Sequence, residues 1–125
     1  MFENTNAFSS FSVDDLAKAR KFYTEVLEQG VDEKDGYLEM KVSGGGRVMI
    51  YPKKDHKPAT FTVFNLPVPS VEKAVTELNE RGVRFEHYDR EDIKTDERGI
   101  HRGMGPKIAW FKDPAGNILS IMEPM

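Results

Sequence analysis

The sequence predicts an α+β fold made of two tandem βαβββ modules. Three observations carry that expectation. Two stretches have the apolar spacing of amphipathic helices, strand-like runs flank both, and the residues around the first helix recur around the second.

Ala7 to Val13 reads as the opening strand. Leu16, Ala19, Phe22, Tyr23, Val26 and Leu27 then fall at three- and four-residue steps, the stripe of a half-buried helix. Asp14 and Asp15 precede it as caps for its free amides, and Gly30 is expected to close it. From Tyr37 to Val42, Leu38, Met40 and Val42 alternate with Glu39 and Lys41. A Gly44-Gly45-Gly46 turn leads into the strand Arg47 to Tyr51. The run Ala59 to Leu66 enters a second helix with Val71, Ala74, Val75 and Leu78 on its stripe, Ser70 as cap and Gly82 as stop. Val83, Phe85 and His87 alternate after it. Lys107 to Lys112 and Asn117 to Met122 flank Asp113-Pro114-Ala115-Gly116, a hairpin signal in which proline presets the turn and glycine closes it.

The repeat is visible in the residues. Val13-Asp14-Asp15-Leu16-Ala17-Lys18-Ala19 aligns with Val68-Pro69-Ser70-Val71-Glu72-Lys73-Ala74, and both helices exit through Gly-Val, at Gly30-Val31 and Gly82-Val83. Residues 1–125 are expected to form a single domain, with module one over about 5–54 and module two over about 57–125.

Composition narrows the function classes. Apolar residues make up 38% and charged residues 31%, which suits a packed domain and not a disordered chain. A net charge of −3 gives no reason to expect nucleic acid or an anionic membrane as partner. The one dense basic run, Lys53-Lys54-Asp55-His56-Lys57, is broken by an acid and reads as a solvated loop. With 0 cysteines, disulfides, thiolate metal sites and a cysteine nucleophile are excluded. No signal peptide is readable at Met1 to Asn6, and no apolar run approaches the roughly 20 residues that span a bilayer. A cytoplasmic protein is the expectation.

Ser12-Val13-Asp14-Asp15-Leu16 through Phe22-Tyr23 to Val26-Leu27 resembles the first helix of the vicinal oxygen chelate superfamily, the glyoxalase/bleomycin-resistance/dioxygenase-like proteins. Ile108 to Leu119, with Asp113-Pro114-Ala115-Gly116-Asn117, resembles that superfamily's closing D-P-x-G-N hairpin. The resemblance covers nearly the whole chain. It implies the glyoxalase/bleomycin-resistance fold with curved mixed sheets around a cleft, a small-molecule ligand in that cleft and a homodimer.

Metal-dependent members of that superfamily hold a divalent ion with His, Gln or Glu from four strands, leaving positions open for substrate oxygens. Carried over by motif, those positions fall on Phe8, Val48, Val63 and Ser120. Such side chains cannot hold a dication, and a one-residue shift offers Ala7 or Ser9, Arg47 or Met49, Thr62 or Phe64, and Leu119 or Ile121, which is no better. The resemblance therefore implies a chain without the family's metal site: no metal ligands and no cofactor are expected. Phe8, Ser10, Val48, Ile50, Val63, Trp110 and Ser120 are expected to line a mainly apolar cleft.

His101 and Arg102 stand at its expected mouth, in the glycine-rich run Arg98-Gly99-Ile100-His101-Arg102-Gly103-Met104-Gly105-Pro106. The segment from about 89 to 106 reads either as a solvated surface loop or as a lid. His101 is the one candidate acid–base group, and Arg102 could clamp an anion. His56 reads as exposed and His87 as a strand residue. Trp110 and Phe111 must face opposite sides of their strand, and the sequence does not say which side is which. The leading expectation is a metal-free small-molecule binder, with an aromatic or antibiotic-like ligand. The alternatives are a glyoxalase-like lyase or isomerase, with unrecognised ligands or a metal-free acid–base mechanism, and an accessory module with no ligand of its own.

Overall fold

The computed structural model describes residues 1–103 and 105–124; Met104, within the 89–106 segment, and Met125 lie outside the described residues. Two compact units are present, Met1–Pro58 and Ala59–Met125. Each contains a four-stranded mixed sheet and one principal helix. Among the described residues no helix is long and apolar enough to cross a membrane.

In the first unit β1 (Ser9–Val13) leads into α1 (Leu16–Lys21), where the Asp15 carboxylate accepts from the Lys18 amide at 3.0 Å. The helix continues as a wider turn over Phe22–Val26, with the Leu27 amide reaching back to the Phe22 carbonyl. Gly30 does not close it. The left-handed residue is Glu28, at φ 57°, and Gly30 opens β2 (Gly30–Lys34), a strand that the alternation did not reveal. β3 (Tyr37–Lys41) and β4 (Arg47–Pro52) complete the sheet in the order β1-β4-β3-β2. β1 and β4 run parallel and the other pairs antiparallel.

Register decides the two faces of this sheet. Phe11 pairs with Ile50 and Ile50 with Leu38, so these three share a face. Together with Val13, Met40 and Val48 they are buried, and the Phe11 ring meets that of the fully buried Tyr23 at 6.0 Å between centroids. Ala19 and Leu27 are buried from the same helical stretch. Each of these larger side chains contributes about 1.5–3 kcal/mol by leaving water. Ser10, Ser12, Met49, Tyr51, Glu39 and Arg47 occupy the face turned away from α1.

In the second unit β5 (Thr62–Pro67) leads to α2 (Val71–Glu80). The Ser70 hydroxyl accepts from the Lys73 amide at 3.2 Å, and Glu123 Oε2 accepts from the Val71 amide at 3.1 Å. Two of the first-turn amides are thus satisfied by side chains. Ser70→Ala is expected to lower stability by about 1 kcal/mol. An unchanged urea midpoint would refute that role for the serine.

Helix α2 exits at Gly82, φ 89°, as its spacing predicts. β7 (Ile108–Lys112) and β8 (Ile118–Met122) form the expected hairpin, and Gly116 at its turn has φ 86°. Val83, Phe85 and His87 do not extend into a strand. The outer edge of β7 is shared by two segments: an isolated bridge at Phe85–Phe111, and β6 (Ile100–His101), which pairs with Ala109 and Ile108. Neither segment has the whole edge, so neither grows long. The sheet order is β5-β8-β7-β6, with β5 and β8 parallel.

The 89–106 segment is thus anchored to the sheet at Ile100–His101. It contributes a strand, and Asp96 pins the approach to it. The Asp96 carboxylate accepts from the Arg98 and Ile100 amides at 2.9 Å each, and from Arg102 Nε at 2.9 Å.

Candidate functional site

The two sheet faces turned away from the helices carry the polar and half-exposed residues, and each is described within its own unit. Of the residues expected to line a cleft, Ser10 lies on that face of the first unit. Phe8, just before β1, is 53% exposed, and the Arg47 guanidinium stacks over its ring at 5.0 Å. Val48 and Ile50 lie on the other face, under α1, and are buried. The register pairs Ser10 with Met49 in the first unit and Asn65 with Ser120 in the second, so Met49 is the structural counterpart of Ser120. A thioether is no better a ligand for a hard dication than a valine.

The pair Ser12–His56 was not legible. His56 lies in the lysine-rich run after β4, yet its Nδ1 is 2.6 Å from Ser12 Oγ, on the face away from α1. Backbone bonds from Lys53 to Val13 and from His56 to Lys53 fold that run back onto β1. Charge alternation said only that the run was polar; the contact spans 44 residues of sequence.

Glu39 is the other surprise in this unit. It is only 9% exposed on a face otherwise half open, and it accepts from Lys34 at 3.1 Å and Arg47 at 3.2 Å. The Lys34 ammonium, with help from the Arg47 guanidinium, holds its carboxyl below the usual carboxylate range against the opposing effect of burial.

In the second unit the Trp110–Phe111 question has an answer. Phe111 is fully buried against Phe85, with ring centroids 5.5 Å apart. Trp110 faces away from α2 on the side of its partner Ser120. Its indole Nε1 donates to Thr62 Oγ1 at 3.1 Å, and Tyr88 and His101 stand beside its ring at 5.6 and 6.1 Å. These three rings make one aromatic wall. Tyr88 was not singled out in the sequence, because a lone tyrosine in a charged segment carries no spacing signal. Ser120 is buried and its hydroxyl donates to Asn65 Oδ1 at 2.6 Å. Val63 is half-buried where the β5–β8 register shifts.

His101 Nδ1 lies 2.9 Å from the Lys94 carbonyl, which can only accept, so in the neutral ring Nδ1 carries the hydrogen and Nε2 the lone pair. A Cβ on Gly103 would stand 2.7 Å from Nε2, so only glycine fits beside that nitrogen without displacing the ring. Arg102 is engaged with Asp96 at 2.9 Å and Glu72 at 3.6 Å, which raises its already high pKa and leaves it a structural tie more than a free clamp. Beside these residues is an open depression of about 450 Å³ that Glu91, Asp92, Lys94 and Asp96 also line. His87 is exposed and bonds the Glu97 carbonyl at 3.0 Å. Among the described residues no three His, Asp or Glu side chains are grouped as metal ligands.

Duplicated βαβββ units with these faces define the class, and the chain belongs to the Glyoxalase/Bleomycin resistance protein/Dioxygenase superfamily, whose family model matches residues 7–121. Similar crystal structures include TnmS3, an antibiotic binding protein from Streptomyces sp. CB03234, at 20% identity and TM-score 0.68, covering 98% of each chain. A glyoxalase family protein from Enterococcus faecalis matches at 20% identity and TM-score 0.71, over 98% of this chain and 100% of that one. The fosfomycin resistance protein FosX from Listeria monocytogenes matches at 13% identity and TM-score 0.72, over 98% and 94%. At these identities the likeness is one of fold. No curated protein sequence matches the chain.

Proposed function

We propose that this protein is a metal-free binder of a planar, mainly apolar small molecule, acting in the cytoplasm as a homodimer. The observation that carries the reading is the aromatic wall of Trp110, Tyr88 and His101, on the same sheet face as Ser120. Trp offers a broad apolar face, and its hydrogen bond to Thr62 fixes the ring so that little rotamer entropy is lost on stacking. Phe8, Val48, Val63 and Ser120, at the positions where the resemblance implies metal ligands, supply no donor set for a dication, and Met49 beside Val48 adds none. An antibiotic-binding relative of the same fold supports an aromatic or antibiotic-like ligand.

Trp110 is the single tryptophan, so its emission reports directly on this wall. Titration with polycyclic aromatic and antibiotic compounds is expected to quench it saturably, and Trp110→Ala to weaken binding, followed calorimetrically, by about tenfold or more. No saturable change across the panel would refute the reading, and so would a stoichiometric metal ion in protein purified without chelator.

A second reading, a metal-free lyase or isomerase of the glyoxalase type, is favoured by one observation. The Lys94 carbonyl fixes the His101 tautomer and leaves the Nε2 lone pair to take a proton near Trp110. Turnover that vanishes in His101→Gln, while ligand binding persists, would replace the binder with the enzyme.

A further inference from the structure

We infer that Arg47 and the Gly44–Gly46 turn form a carboxylate-binding subsite on the first unit, with an adjoining recess for a group no larger than a methyl. The inference rests on the ligand-binding reading above and adds to it an anionic group that the aromatic wall does not require.

Arg47 opens β4 on the face away from α1, and its fork is held in place twice. NH1 donates to Glu39 Oε2 at 3.2 Å, and the Phe8 ring lies 5.0 Å from Cζ. Lys34 donates to the other oxygen of the same carboxylate at 3.1 Å. One carboxylate thus serves two cations, and the cluster keeps a surplus positive charge. Lys41, the cross-strand neighbour of Arg47, pairs with Asp32 at 3.1 Å. The Glu39 side chain is 12% exposed and the Arg47 side chain 41%: the counter-ion is sheltered and the cation remains accessible.

Arg47 also borders two hollows. The larger, about 670 Å³, is lined by Thr5, Asn6 and Gly44–Gly46. Gly44 and Gly45 have φ of 93° and 88°, a conformation that side chains rarely adopt, so the backbone of this turn is bare of Cβ atoms. A carboxylate there would lie between this turn and the Arg47 guanidinium, whose fork geometry suits two oxygens. The smaller hollow, about 50 Å³, lies among Phe8, Tyr37, Glu39 and Met49. That is space for a methyl group or a water, too little for a ring. The ligand class that satisfies both is a small carboxylate with a short apolar tail, free or as one end of a larger molecule.

The test titrates isotope-labelled protein with propionate, n-propanol and propylammonium, which share size and differ in charge. Propionate is expected to shift the Gly44, Gly45 and Gly46 amides and the Arg47 Nε–H saturably; the alcohol and the amine are expected to leave them in place. Arg47→Gln is expected to weaken propionate binding by roughly tenfold or more, and Arg47→Lys to recover part of it. A dispersed amide spectrum of the variants checks that they are folded. No saturable shift at millimolar propionate, equal shifts from all three probes, or full affinity in Arg47→Gln would each overturn the inference. Trp110 emission, read with the aromatic panel, separates the two claims. Quenching there with a silent glycine turn overturns the subsite alone; a responsive turn with silent Trp110 overturns the aromatic wall alone.

Discussion

Replacing Asp113 by alanine is expected to lower the unfolding free energy by about 3 kcal/mol, among the largest losses from a single side chain away from the apolar core. Asp113 is 5% exposed, in the turn between β7 and β8. Its Oδ1 accepts from the Ala115 amide at 3.0 Å and the Asn117 amide at 2.8 Å, and its Oδ2 accepts from Asn117 Nδ2 at 3.0 Å. Alanine strips those acceptors from donors that are themselves largely shielded, Asn117 being 2% exposed. An orphaned buried donor costs about 1–3 kcal/mol, while each charge-assisted bond contributes about 1.5–3. The turn also sets the β7–β8 register, which places Trp110 opposite Ser120. Urea unfolding should show a lower midpoint at constant slope. Asp113→Asn keeps an oxygen for the amides but sets an NH₂ against that of Asn117, so an intermediate loss is expected. If the alanine variant loses less than about 1 kcal/mol, the carboxylate is not what holds the turn.

Gly99→Ala should cost a further large amount, about 2–3 kcal/mol, for a different reason. Gly99 has φ 83°, and a Cβ there would stand 2.9 Å from the Glu86 carbonyl oxygen and 2.9 Å from Phe85 Cβ. Both obstacles are short and rigid, so the backbone would have to move. It cannot move freely, because Asp96 holds the Ile100 amide and β6 is paired to β7. Gly30→Ala is the control: a Cβ there meets nothing within 4 Å and its backbone is not left-handed, so about zero loss is expected. Equal melting temperatures for the two variants would show that the close approach at Gly99 is tolerated. Because Gly99 immediately precedes the strand that carries His101, Gly99→Ala should also disturb the Trp110 emission before the fold is lost.

Much of the architecture was legible because its signals are local. Helix stripes, the caps at Asp15 and Ser70, and the Asp113–Gly116 turn all depend on residues a few positions apart, and each matches an observed hydrogen bond or dihedral. The strands that escaped were of two kinds. Gly30–Lys34 is nearly all exposed and ends in three charged residues, so burial imposed no alternation on it. Ile100–His101 exists only because part of the β7 edge is left unclaimed by Phe85. The run Val83 to His87 failed in the opposite sense: it alternates because Val83 and Phe85 are buried, but burial alone does not supply a strand partner.

For the candidate site the division is sharper. The sequence by itself determined the duplicated βαβββ plan and which residue types stand at Phe8, Val63 and Ser120. Only the tertiary structure decided which side of each strand is open. A side chain changes face with every residue, so Val48 lies buried under α1 while Met49 beside it lies on the other face. Only the fold, too, could join His56 to Ser12, Tyr88 to Trp110, and Glu39 to both Lys34 and Arg47. Those contacts come from pairing register and chain reversal, which act across the sheet and leave no period along the chain.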